Sequence, residues 1–344
     1  MRFVRRMSPH RAYGATLLFL ALLFATLIGH LSAQESGKTL VVVAGEALAR
    51  VVKEVGGEYV EVRNILPPGV DPHSYEPSAQ ELLSLVSGAS LIVVTGPNHY
   101  PVEEKIEQLS EEGLIRARVL DYKDYQREGL RLLEIDGGLN PHGYFYSLSG
   151  LRAIAKACAG ELSRLMPDKS EYFERRLSAY LERLALASEI IKQMNVAGVR
   201  VALVDPVLQY VAQDIGLEVE GVLIPVHGVE PSPEEVARIV RLAREGKIPL
   251  VLLSDIGLGE ASAIMSSLEE NDVPYALIPL LDFSDKPELA PVYAASIIKD
   301  RLRSGAGVRS ASSLSEALLA PSLAANGVLV LITLLLIMKV RRHG

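Results

Sequence analysis

Residues 169 to 195 read KSEYFERRLSAYLERLALASEIIKQMN, introduced by Pro167-Asp168 and without Gly or Pro throughout. Apolar or aromatic residues fall at Tyr172, Leu177, Tyr180, Leu181, Leu184, Leu186, Ile190, Ile191 and Met194, close to a helical period with charge on the other face. Its 27 residues, at about 1.5 Å each, predict a helix of roughly 40 Å. One small lobe is narrower than that. The segment therefore reads as a strut joining two lobes.

Both sides of the strut repeat one grammar. TLVVVAG (39 to 45), EYVEVRNIL (58 to 66) and SLIVVTG (90 to 96) alternate with helix-period segments, one of them capped by Ser78. After the strut come VRVALV (199 to 204), LEVEGVL (217 to 223), IPLVLLS (248 to 254) and PYALIPL (274 to 280), again separated by helices. Short β-rich runs covered on both faces predict parallel sheets. The expected fold is α/β, with an N-terminal lobe over 38–166, a linking helix over 167–196 and a C-terminal lobe over 197–303.

Two loops share a pattern. Residues 71 to 75 are Asp-Pro-His-Ser-Tyr and residues 140 to 144 are Asn-Pro-His-Gly-Tyr. Each lies just before a helix, where ligand sites of open α/β sheets collect. A proline ahead of each histidine narrows the backbone, which suits a pre-organised ligand. Single loop histidines are mostly surface residues; His73 and His142, with matched flanks, are candidates for a shared metal site. His99, in GPNHY, reads as a surface residue near the cleft mouth.

PPGVDPHSYEPSAQELLSLVSGASLIVVTGPN and NPHGYFYSLSGLRAIAKACAGEL, followed by the strut, resemble the solute-binding proteins of ABC importers for zinc and manganese. VEPSPEEVARIVRLAREGKIPLVL resembles a later helix and strand of that family, so the likeness runs from about Thr39 to Arg303. It implies two α/β lobes joined by one backbone helix, with one metal held by four side chains, two from each lobe. His73 and His142 match the first pair. Asp205, where relatives carry His or Glu, matches the third position, and Asp282 matches the fourth. Read from the residues alone, Asp205 is also a helix N-cap and Asp282 also a turn residue. Asp255 and His227 stay open as rivals for the third ligand.

The resemblance implies capture of Zn2+ or Mn2+, with Fe2+ also compatible, for delivery to an ABC permease. Two imidazoles and two carboxylates do not choose among these ions. The alternative is a secreted metal-dependent hydrolase on the same ligands, but the chain has no HExxH, GxSxG or P-loop, so no enzyme is expected. A net charge of -7, with no basic cluster outside the termini, argues against nucleic acid.

Arg2, Arg5, Arg6 and Arg11 precede an apolar run from Ala15 to Gly29, then Leu31-Ser32-Ala33, which reads as a signal peptide over 1–33. Residues 317–338 carry no charge and are followed by Lys339, Arg341 and Arg342. They read as a transmembrane helix with a cytoplasmic tail over 339–344, joined to the lobes by a polar linker over 304–316. The single cysteine, Cys158, lies in a helical pattern and forms no disulfide framework. With no cysteine after the signal segment, the expected tether is that helix rather than a lipid, on a single-pass membrane protein with its lobes outside.

Overall fold

The computed structural model describes residues 38–303, apart from 68, 69, 98, 226–228, 230 and 257. The expected signal peptide, linker, transmembrane helix and tail lie outside the described residues. Among the described residues, no helix is long and apolar enough to cross a membrane.

In the first half, β1 (Thr39–Val43), α1 (Glu46–Gly56), β2 (Val60–Asn64), α2 (Ala79–Leu85), β3 (Leu91–Val93), α3 (Pro101–Glu111), β4 (Arg118–Leu120) and α4 (Tyr122–Arg127) build a sheet of order β2-β1-β3-β4. Val41, Val42, Val43, Leu91, Ile92 and Val93 are all fully buried, because helices cover both faces. A hairpin of β5 (Glu134–Ile135) and β6 (Gly138–Leu139) then leads to α5 (Leu148–Leu165) and the strut, α6 (Ser170–Met194). Asn195, at φ 57, ends the strut in the left-handed conformation typical of helix C-termini.

The second half contains β7 (Arg200–Leu203), α7 (Gln209–Ile215), β8 (Glu218–Val222), α8 (Pro233–Arg244), β9 (Leu250–Ser254), α9 (Leu258–Glu270), β10 (Tyr275–Ile278) and α10 (Ala290–Arg303). Its sheet has the order β10-β9-β7-β8, every pair parallel. In each sheet the strand order reverses beside the first strand, between β1 and β3 and between β7 and β9. Those crevices, at the carboxyl ends, are where such folds place ligands.

The fold is the expected pair of parallel-sheet α/β lobes with one long helix. β4 and the hairpin are additions to the expectation: three residues led by an exposed Arg118, or two-residue strands, carry too little pattern to read. The strut packs against α1 and α5 of the first half and α10 of the second. It buries Phe173, Tyr180, Leu184, Ala187, Ile190 and Ile191. These join a single apolar core running from Val41 through the strut to Val201 and Ile298. On its flank, Glu54 of α1 pairs with Arg183, and Arg176 Nε donates to the Glu54 carbonyl at 2.6 Å. The strut is thus part of both lobes' core.

Candidate metal centre

The repeated Asp/Asn-Pro-His is one local device used twice. Asp71 Oδ1 accepts the His73 backbone N–H at 3.0 Å, and Asn140 Oδ1 accepts that of His142 at 2.8 Å. The side chain closes a turn over the proline, as Asx residues do, and fixes the direction in which each imidazole leaves the backbone. The two turns bring His73 and His142 together with ring centroids 5.7 Å apart.

A third imidazole joins them. His73, His99 and His142 each offer a ring nitrogen, all within 4.8 Å of one another. His99 is 7% exposed, with its ring 4.6 Å from that of His142 and stacked on Tyr100. The expected surface role for His99 is therefore corrected: the turn after β3 folds it inward at the sheet's crevice. Neutral imidazoles are ligands for zinc, copper, iron and nickel, and three on one point make a nitrogen-rich face.

Behind His99 sits a buried polar relay. Its Nδ1 lies 2.5 Å from Thr95 Oγ1, and that hydroxyl donates to Glu103 Oε2 at 2.6 Å. Glu103 also accepts the Thr95 and Gly96 backbone N–H groups at 2.7 and 3.1 Å. Burial pushes its carboxyl up to about 8, against the pull of these hydrogen bonds. Thr95 is held in turn by Tyr144, whose hydroxyl donates to its carbonyl at 2.6 Å. The tyrosine of the second Pro-His motif thus reaches the loop carrying the third histidine.

The second half contributes acids at its own strand ends. Asp205 follows β7 and is 3% exposed, with Oδ2 accepting the Ser254 N–H of β9 at 2.8 Å, across the switch point. Asp255 takes the Leu281 N–H on both oxygens, at 3.1 and 3.2 Å, and so fixes the turn bearing Asp282. Burial raises the Asp255 carboxyl to about 6, and the Asp282 charge adds to the rise. Asp282 itself is exposed. Neither Asp205 nor Asp282 falls within the 4.8 Å group of histidines. His227 lies outside the described residues.

The halves meet at this place. Asn140 Nδ2 donates to the Pro206 carbonyl at 2.9 Å and to Gln209 Oε1 at 2.8 Å. Tyr210 donates to the Asn140 carbonyl at 2.6 Å and accepts the Leu133 N–H at 3.0 Å. Gly143, at φ +81, lies so close to Val207 that a Cβ would overlap its carbonyl. The loop carrying His142 is therefore seated on the turn that follows Asp205.

Two parallel-sheet lobes on one helical strut, with candidate ligands at the strand ends between them, define a solute-binding protein of the metal-receptor class. The chain belongs to the family "Zinc-uptake complex component A periplasmic", whose profile matches residues 41–257. It is 27% identical over 246 residues to the manganese ABC transporter substrate-binding lipoprotein PsaA of Streptococcus pneumoniae, spanning 67% of this chain and 78% of that protein. It is also 27% identical over 249 residues to the metal ABC transporter substrate-binding lipoprotein FimA of Streptococcus parasanguinis, 69% of this chain and 79% of that one. Among solved structures, the manganese complex of the solute-binding protein FpvC from Pseudomonas aeruginosa shares the fold, with TM-score 0.64 and 23% identity over 78% of this chain and 99% of that one.

These relatives correct the expected localisation. They are lipoproteins by name, a class held to the membrane by lipid, against a single-pass C-terminal helix. The expectation rested on length and lack of charge over 317–338, but Pro321, Asn326 and Gly327 interrupt that run.

Proposed function

We propose that the protein captures a divalent transition metal between its lobes and passes it to an ABC-type permease. The observation that carries this reading is the convergence of His73, His99 and His142 within 4.8 Å from three separate loops. In our reading these three are ligands, and Asp205 and Asp282 complete the shell from the second lobe. The carboxylates offset the dication's charge, which limits the desolvation cost of holding it between the lobes. The ion is Zn2+ or Mn2+; three imidazoles favour zinc, and each carboxylate oxygen that joins them draws the site toward manganese. Transport by relatives named as manganese and metal ABC transporter proteins supports binding and delivery over hydrolysis.

The test is metal analysis of protein purified without added metal, followed by titration of the stripped protein with zinc and manganese. One ion per chain is expected, lost together in His73→Ala and His142→Ala. Wild-type stoichiometry and affinity in both variants would sink the reading.

A further inference from the structure

The relay behind His99 settles a question that three clustered imidazoles leave open, namely which ring nitrogen meets the ion. A neutral imidazole has one N–H and one lone pair, and the hydrogen bond at one nitrogen decides the role of the other. Glu103 is surrounded by donors. The Thr95 and Gly96 amides cannot do otherwise than donate, and they take both of its oxygens, at 2.7 and 3.1 Å. With a dication at the site favouring its ionised form, Glu103 has no proton to give and accepts the one proton of the Thr95 hydroxyl, 2.6 Å from Oε2. The hydroxyl's lone pair is then turned to His99 Nδ1, 2.5 Å away, which must carry the hydrogen. The ring's own lone pair is left on Nε2.

We propose that Glu103, acting through Thr95, is a positioning residue that holds His99 as the Nδ1–H tautomer and so commits its Nε2 to the metal. This rests on His99 being a ligand, as proposed above. The family likeness does not supply it, since the ligand positions carried over by resemblance are His73, His142, Asp205 and Asp282. The arrangement has the logic of the carboxylate–histidine–metal pairs of known sites, with a threonine hydroxyl interposed. Thr95 and Glu103 are 1% and 2% exposed, so water does not compete for either hydrogen bond. A dication on the far side of the imidazole strengthens the Nδ1–H as a donor and favours the ionised carboxylate. The relay is therefore firmest when the site is loaded.

The experiment uses the full-length, zinc-loaded protein labelled with nitrogen-15 histidine, with NMR identifying the protonated and the zinc-bound nitrogen of each ring. For His99 the expected result is Nδ1–H with zinc on Nε2. Thr95→Val, which keeps shape but removes the hydroxyl, and Glu103→Gln should each weaken zinc binding by about 10- to 100-fold. Thr95→Ser, which restores the hydroxyl, should recover it. Zinc on Nδ1 of His99, or wild-type affinity in Thr95→Val or Glu103→Gln, overturns the proposal. Failure of the ligand assignment is read separately: His99→Ala would then bind zinc like wild type. If His99→Ala is weak while Thr95→Val is not, the ligand stands and the relay falls.

Discussion

Asn140 spans the two halves of the site, accepting the His142 N–H on Oδ1 and donating from Nδ2 to the Pro206 carbonyl at 2.9 Å. One fully buried side chain thus shapes the turn that aims a histidine and ties that turn to the residue after Asp205. Asn140→Ala strands the His142 N–H and the Pro206 carbonyl away from water. The expected loss of stability is about 2–3 kcal/mol. Asn140→Asp keeps the acceptor for His142 and loses the donor to Pro206, so it should retain more zinc affinity than the alanine variant. Equal affinities in the two, by titration, would show that the Asx turn does not aim His142.

Gly143 is the second constraint on that seat. Its φ of +81 disfavours any Cβ, and the Val207 carbonyl occupies the space one would need. Gly143→Ala should cost on the order of 2–4 kcal/mol, from backbone strain and overlap together. Thermal unfolding of the metal-free protein measures it. A neutral alanine variant would mean that the loop and the turn after Asp205 separate readily.

Much of this was legible in sequence, and the omissions have physical causes. The strut declared itself because charge and apolar residues kept helical spacing over 27 residues. His73 and His142 stood out through matched flanks. His99 had no such flank; Gly96-Pro97 announces a turn after β3, but not that the turn folds the ring inward. Glu103 was hidden in a different way. An acidic residue in the first turn of a helix is ordinary on grounds of the helix dipole alone. The usable signal was spacing: Thr95, His99 and Glu103 stand four apart from the end of a strand into the next helix. The lone acids Asp205 and Asp255 were read by their place at strand ends, which gives position but not partner.

Asp214 of α7 accepts the Leu148 N–H at the start of α5, linking the two halves away from the histidines. Burial raises its carboxyl from 3.8 to about 6, more than its hydrogen bonds and Arg152 pull it down. The folded state thus holds a proton that the unfolded chain has released between pH 4 and 6. This contribution is fully present below pH 4 and is lost as pH rises through about 6, to the extent of about 3 kcal/mol. Asp214→Asn keeps an acceptor for Leu148 without the charge. Its denaturation midpoint should therefore gain on wild type as pH rises from 4 to 7. Parallel profiles for the two proteins would contradict this.

Because the strut belongs to a core shared by both lobes, metal binding is expected to rock the lobes slightly rather than close them about a wide hinge. Small-angle scattering of stripped and zinc-loaded protein should give radii of gyration equal within error. A clear contraction on loading would show that the strut bends or that the seat between Asn140 and Pro206 opens.

Asp205 decides how far the site leans toward oxygen. Its Oδ2 is engaged by Ser254, so alanine would remove a structural acceptor along with any metal ligand. Asp205→Asn separates the two roles, since an amide oxygen can still accept the Ser254 N–H while the negative charge is gone. If Asp205 binds the ion, the loss should fall unequally. Zinc keeps three imidazoles and is content with four short bonds, whereas manganese relies on oxygen ligands in an octahedral shell. Manganese affinity should therefore drop by at least about tenfold, as it does when site-supporting groups are lost, and zinc affinity by less. Asp205→His, which supplies a further imidazole, should move preference to zinc more strongly still. Titrating both variants with both metals reads this directly. Wild-type affinities for zinc and manganese in Asp205→Asn would leave Asp205 as the strut between β7 and β9, and pass the ligand role to Asp282 or Asp255.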